Sequence, residues 1–366
     1  MLRPQPYRWK TITLDESVML RAFAILAIVL HNYLHWIADA PGENEFTYEP
    51  ERTQALIDGL LNAPLDCIRL LITYFGHYGV QVFFFLSGYG IAVKYRNRKP
   101  SWLTFQKARW SALYPSIVIA ALGYIFYESL RLGWNQVIQR EMLELVRQMI
   151  GISSFFPDNI YYPIGPWWFI GVILQFYLLA PLILQWTRRF GDNALYALAA
   201  GSFLFELLVG PILSKQFDFN INHSILGHLD VCAMGIWFAR REEFPLPKAV
   251  IAGAAGLFIL GNFYAWLWIT TGATSLLVML PLLRTLSHKC QRQIWIHRCL
   301  MFIGQLSMYI FLCNGYLRRP LIEWAQQTSH WWTSIWTSLV FLAIVLVWAI
   351  LLRKCEQAIW SNTAND

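Results

Sequence analysis

The stretch LRAFAILAIVLHNYLHW, residues 20–36, sets one cation and two imidazoles, Arg21, His31 and His35, inside a run that otherwise reads as a membrane helix. An ionisable side chain in hydrocarbon costs about 2.5–3.5 kcal/mol on insertion scales, so three of them in one span point to function. On an α-helix Arg21 and His31 are separated by about 15 Å of rise, half the hydrocarbon thickness. His31 and His35 lie four residues apart and share a face, with Arg21 turned by less than a right angle from either. One polar stripe therefore joins an end of the span to its middle. The same residues also fit a duller role, in which Arg21 reaches the lipid headgroups and the histidines hydrogen-bond carbonyls of neighbouring helices.

Working outward, 57% of the 366 residues are hydrophobic and 14% are charged, with 18 tryptophans. That composition excludes a soluble domain and indicates an all-α, polytopic transmembrane helix bundle in the lipid bilayer. A ruler of about 20 apolar residues per crossing finds about ten spans. They lie near residues 17–37, 68–93, 110–129, 166–186, 193–213, 225–239, 248–267, 272–287, 300–317 and 332–352. The first is too long for a signal-peptide core and lacks a small-residue cleavage site, so it reads as an uncleaved span. No repeat or soluble appendage interrupts the pattern, which gives one membrane domain over residues 1–366.

The net charge of +7 does not indicate nucleic acid, because the basic residues sit in short clusters between apolar runs. Arg3, Arg8 and Lys10, the group from Lys94 to Arg109, Arg188 with Arg189, Arg240 with Arg241, and Arg353 with Lys354 fall on one side. By the positive-inside rule both termini are expected to be cytoplasmic. Arg318 and Arg319 break the rule, as a miscounted helix or as cations kept outside for an anionic ligand. Residues 142–152, in the loop before the fourth span, have the spacing of an interfacial amphipathic helix. Six scattered cysteines show no metal-ligand rhythm and neither imply nor exclude a disulfide.

Other segments extend the pattern. GVQVFFFLSGY, residues 79–89, carries small residues at both ends that let helices approach closely. The cationic stretch from Lys94 to Arg109, including Lys107, leads to Tyr114 and Pro115 and suits either phosphate binding or plain topology. Trp167 and Trp168 open the fourth span on the expected outer side, as sugar-stacking rings or as an interface belt. His77, expected near the same surface, is an acceptor contact or an ordinary interfacial histidine. His228 and Asp230 are two residues apart and would face different sides of a helix, which argues against a shared site.

These segments together resemble the acyltransferase 3 family of bacterial membrane proteins. The match runs in order through the Arg21 to His31 span, residues 79–89, the basic loop to Arg109 and Tyr114-Pro115, the fourth-span motif of WWFI at 167–170 together with QFYLLAP at 175–181, and LSMYIFL at 306–312. Each motif is weak alone; five in the family's order are fairly specific. The resemblance implies a ten-helix, multi-pass enzyme of the bacterial inner membrane. It would move an acyl group, usually acetyl, from cytoplasmic acyl-CoA to a hydroxyl of a cell-surface or exported glycan, with no permanently bound cofactor and no metal. Arg21 would serve the donor and His31 the acceptor hydroxyl. The spacing between them is one residue shorter than the family's, which leaves His31 and His35 both open as the base. Ala112 replaces the second arginine of the family's R-x-x-R, and Asn314 replaces a late histidine.

Direct O-acyl transfer needs a neutral base within about 3 Å of the attacking hydroxyl, and an imidazole buried among apolar helices meets that need. No serine or cysteine nucleophile accompanies the histidines in the first span, and Ser87 reads as a packing residue. Arg21, Lys107 and Arg109 are the candidate grip on the CoA phosphates. The rival classes are a transporter or flippase using the buried Arg, His and Asp residues, and a catalytically silent relative.

Overall fold

The computed structural model describes residues 9–10, 12–37, 42–244, 246–327 and 331–360. Arg3 and Arg8, part of the charge argument above, lie outside them. The principal helices are α1 (Leu14–Leu34), α2 (Cys67–Phe75), α3 (Gly79–Lys94), α4 (Trp102–Leu132), α5 (Trp168–Phe190), α6 (Asp192–Leu208), α7 (Leu229–Ala239), α8 (Lys248–Gly261), α9 (Thr271–Gln291), α10 (Ile294–Leu317), α11 (Arg319–Gln326) and α12 (Trp331–Trp360). Beyond helices, the described residues hold one two-residue antiparallel pairing, Trp9–Lys10 with Glu243–Phe244.

Six helical stretches are long and apolar enough to cross a membrane, or seven if α6 and the helix Gly210–Phe217, bent by 44°, form one span. The expected ten spans are therefore not all supported. The shortfall falls on α7 and α8, with 11 and 14 residues, and on α9, whose apolar run is diluted by Arg284, His288 and Lys289. A run of hydrophobic residues in sequence does not fix how much of it forms a straight helix, and here turns consume part of each run.

α1 is apolar all round and lies in the middle of the bundle, as such a pattern requires. Leu20, Ala24 and Ile28 pack into a cluster with α3, α5 and α7. Ile25, Val29 and Tyr33 pack into a second cluster with α4, α10 and α12. The start of α1 is closed by a capping box: the Thr13 hydroxyl accepts from the Glu16 amide, and the Glu16 carboxylate accepts from the Thr13 amide. The same Glu16 carboxylate forms a buried ion pair with Arg284 of α9 at 2.8 Å. This end of α1 is held in register by a contact that loses several kcal/mol if one partner is removed, about 3–5 on typical figures.

Residues 142–149 form the helix expected in the loop, one turn shorter than the periodicity suggested. Leu145 and Gln148 are buried, and the Gln148 amide donates to the carbonyls of Ile160 and Ile164, while Leu143 and Val146 stay exposed. One face of this helix thus closes the protein rather than lying free on a bilayer.

Helices α3 and α7 cross at glycines. A Cβ on Gly88 would stand 2.2 Å from the Cys232 carbonyl oxygen, and one on Gly235 would stand 2.1 Å from that of Phe85. Backbone meets backbone there, with nothing flexible to yield. Gly88→Ala should therefore lower the thermal unfolding midpoint of the detergent-purified protein by an overpacking cost of roughly 1–3 kcal/mol. Gly90→Ala, where a Cβ meets nothing within 4 Å, should leave the midpoint unchanged or raise it; equal midpoints for the two variants would contradict the packing.

Candidate active site

The C-terminal part of α1 presents His31, and His35 caps the helix, its Nδ1 lying 2.7 Å from the His31 carbonyl oxygen. A carbonyl can only accept, so Nδ1 of His35 carries the proton and, in the neutral ring, Nε2 keeps its lone pair. The two rings stack with centroids 4.8 Å apart. His31 is buried, and its Nδ1 has no hydrogen-bond partner.

A third imidazole completes the group. Between α2 and α3 the chain makes a single 3-10 turn, Gly76–Tyr78, and His77 projects from it with its ring 5.4 Å from that of His31. The approach is possible because Gly76 and Gly79 flank the turn. A Cβ on Gly76 would lie 2.7 Å from the His31 Cβ, and one on Gly79 would lie 2.6 Å from the Ala24 carbonyl oxygen. Both ring nitrogens of His77 are buried and unpartnered. The sequence expectation had put His77 at the membrane surface, because the break between α2 and α3 leaves no mark on hydropathy.

His31, His35 and His77 line one cavity of about 850 Å³, within the range of small-molecule sites. Trp168 also lines it, set edge-on to Phe46 at 4.8 Å. Trp167 does not: its ring is fully buried in the second cluster and its indole N–H donates to the Leu312 carbonyl. Across from the histidines the wall carries Glu141, which accepts from the Tyr124 hydroxyl at 2.5 Å and the Tyr162 hydroxyl at 3.1 Å, and Glu128, paired with Arg131 at 2.8 Å. The sequence argument missed these carboxylates. Glu128 lies near the end of α4 and Glu141 just before the helix at 142–149, outside the segments that carry the family resemblance, and their membership of the cavity depends on tertiary packing.

Glu43 and Glu45, in the segment after α1, close the cavity from another side. Burial raises the Glu43 carboxyl to about 7 against the pull of Arg52, and raises Glu45 to about 8. Asn32, beside His31, donates to the Asn314 side chain at 2.9 Å. The residue standing at the position of the resembled family's late histidine thus ties α10 to α1.

The candidate donor residues stand at the opposite end. Arg21 is half-buried and its Nε donates to the Ser17 carbonyl at 3.3 Å; Lys107 is exposed near the start of α4. The Arg109 guanidinium sits among the rings of Phe105, Tyr95 and Tyr177 at 5.5, 5.6 and 5.8 Å, with Nε and Nη2 buried and without partners. None of the three lines the cavity. Arg21, Ile28 and His35 recur every seven residues and so follow one stripe of α1, and Ile28 belongs to the cavity floor. Phe83, Leu113 and Tyr177 pack against both hydrophobic clusters, and Tyr177 is also one of the rings around Arg109.

His228 and Asp230 do share a site, contrary to the helical-wheel argument. His228 precedes α7 with a non-helical backbone, and both side chains border a second polar cavity of about 30 Å³ with Glu206 and Gln81. His77 belongs to both cavities.

Comparison with known proteins gives one match: a family model described as an acyltransferase domain covers residues 16–354. No curated protein and no solved structure matches.

The two raised carboxyls have a measurable consequence. A native pKa above the unfolded value of 4.5 means that the folded chain keeps these protons to higher pH. Their contribution is present below that value and is lost as pH rises through about 7 for Glu43 and about 8 for Glu45. The unfolding midpoint should fall between about pH 5 and about pH 9, and Glu45→Gln should remove part of that fall. An identical pH profile in the variant would show that Glu45 ionises freely.

Proposed function

From the premise that the chain belongs to the acyltransferase 3 family, we propose that it is a membrane O-acyltransferase moving an acetyl group from cytoplasmic acetyl-CoA to a hydroxyl of a cell-surface or exported polysaccharide. In this reading it sits in a bacterial inner membrane with both termini cytoplasmic. The end where α1 begins faces the donor, and the end where α1 finishes faces the acceptor. The observation that carries the reading is the trio of imidazoles on the wall of one cavity, with unpartnered ring nitrogens on His31 and His77, about half a membrane thickness beyond Arg21.

The chemistry follows from that placement. A sugar hydroxyl entering between the histidines and the Glu141 wall loses its proton to His31 as its oxygen attacks the thioester carbonyl. The new C–O bond forms, the C–S bond breaks, and the thiolate takes the proton back from His31. His35, with its proton fixed on Nδ1 by the His31 carbonyl, stacks on the working ring and restricts its rotation. His77 flanks His31 and adds a second proton-accepting group within the same pocket. Trp168 and the Tyr124–Glu141–Tyr162 network suit the alternating apolar faces and hydroxyls of a sugar.

On the donor side, Arg21, Lys107 and Arg109 offer cations for the phosphates of CoA. In this reading the thin pantetheine arm runs along the Arg21 to His35 stripe of the first helix and delivers a thioester to His31.

Vesicles containing the chain should transfer label from radiolabelled acetyl-CoA to envelope polysaccharide. His31→Ala should reduce the rate by roughly 10²–10⁴-fold, the range for loss of a general base, with unchanged membrane insertion. Label persisting in His31→Ala but lost in His35→Ala would move the base one turn along. No transfer from any acyl donor would favour a transport role for the buried His, Asp and Glu residues.

A further inference from the structure

Two cations in the cavity have no part in the transfer chemistry above. Arg318 follows the last residue of α10, Arg319 opens α11, and both line the cavity. The Arg318 Nη1 donates to the Asn32 carbonyl at 2.7 Å and its guanidinium lies 5.2 Å from the Trp36 ring. Its Nη2 faces Gly165, where even a Cβ would come within 3.3 Å. Among the described residues neither arginine forms an ion pair.

The carboxylates of the cavity have other partners or stand apart from these arginines. Glu43 lies 3.9 Å from Arg52 and accepts from the Trp268 indole, Glu128 is paired with Arg131, and Glu141 is bonded by two tyrosine hydroxyls. Glu45 is held in its neutral form near pH 7 by burial. Glu323 is exposed a turn further along α11 and pairs with neither arginine. Arg318 and Arg319 are thus the arginines of the cavity lining that have no carboxylate within ion-pair distance among the described residues. Burial and the neighbouring Arg319 charge pull the Arg318 pKa down to about 10, the direction expected of a desolvated cation that lacks a counter-ion.

We propose that Arg318 and Arg319 form a subsite for an oxyanionic group, a carboxylate or a phosphate, carried by the acceptor. The inference rests on the acyl-transfer reading and narrows its acceptor class from any hydroxyl-bearing glycan to an acidic one. Guanidinium groups present paired N–H donors that match both anions. The bond from Arg318 to the Asn32 carbonyl puts this anchor one residue from His31 in the chain, so an anion held there brings a neighbouring hydroxyl towards the imidazoles. The exception that these arginines make to the positive-inside rule then has a use: they face the side from which the acceptor arrives.

The test is direct binding to the full chain in nanodiscs of zwitterionic lipid, by calorimetry, with methyl glucuronide, glucose 6-phosphate and methyl glucoside as probes. The anionic probes should bind roughly ten-fold more tightly than the neutral one, the difference expected of charge-assisted hydrogen bonds. Arg318→Gln with Arg319→Gln should bring them to the neutral level, and Arg318→Lys, which keeps the charge, should retain part of the preference. Preference for only one anion supports the subsite and names its source. Equal or undetectable binding of all three probes by the unaltered chain, or a preference that survives the double substitution in protein with an unchanged unfolding midpoint, overturns it. Because binding is read without acyl transfer, a chain that prefers anions but transfers nothing refutes only the enzymatic reading.

Discussion

The contact of the glycine-flanked turn at residues 76–79 with α1 is the constraint on which the rest depends. Only residues without a Cβ allow the turn to lie against the Ala24 to His31 segment, and that approach brings His77 beside His31. Three imidazoles packed this closely in an apolar bundle cannot all be protonated at tolerable cost, so the cluster favours neutral rings with lone pairs to offer. The hydrogen bond from His35 to the His31 carbonyl and the capping and ion-pair contacts of Glu16 hold α1 fixed at both ends. Rigidity of this helix matters because the polar stripe from Arg21 to His35 is the link between the two ends of the protein.

The electrostatic arrangement is divided by depth. At one end Arg21, Lys107 and Arg109 provide cations, with Arg109 enclosed by aromatic rings and two of its nitrogens free. At the other end the cavity combines histidines, tyrosine-bonded carboxylates, Trp168 and the Arg318–Arg319 pair. Phe83, Leu113 and Tyr177 pack against both hydrophobic clusters of the bundle, and none of them lines the cavity. A large charged donor and a hydroxyl-bearing acceptor can then be recognised independently, while only their reacting ends meet. The second polar cavity beyond His77, with Asp230 and Glu206, extends the buried polar region away from the donor side.

Much of this was legible in the sequence, and the omissions have physical causes. Hydropathy gave a helical membrane protein and placed Arg21, His31 and His35 on one stripe, because a helix repeats regularly and α1 is unbroken from Leu14 to Leu34. The same ruler counted ten spans where six or seven helices are long and apolar enough to cross a membrane, since it registers apolar residues and not the turns that divide them. It gave no sign that His77 is buried against His31, because a 3-10 turn between two apolar helices reads as continuous span. It separated His228 from Asp230 by assuming a helix where the backbone is not helical. Trp167 and Trp168 look equivalent as neighbours, yet one turn of backbone sends Trp167 into the core and Trp168 to the cavity. Glu128 and Glu141 gave no sign of belonging to the cavity because that depends on how the end of α4 and the segment after it pack in the fold, which amphipathic periodicity does not record.

The most direct measurement is an experimental structure of the chain in nanodiscs with a non-hydrolysable acyl-CoA analogue. If the donor enters from the end where α1 begins, its phosphates lie against Arg21, Lys107 or Arg109, its arm runs along the Arg21 to His35 stripe, and its acyl carbonyl stops in the cavity with room for a hydroxyl about 3–3.5 Å away beside His31 or His35. An analogue that binds only at the Arg318 end, or that remains on the donor side with its acyl group remote from the three imidazoles, would contradict a reaction at this site.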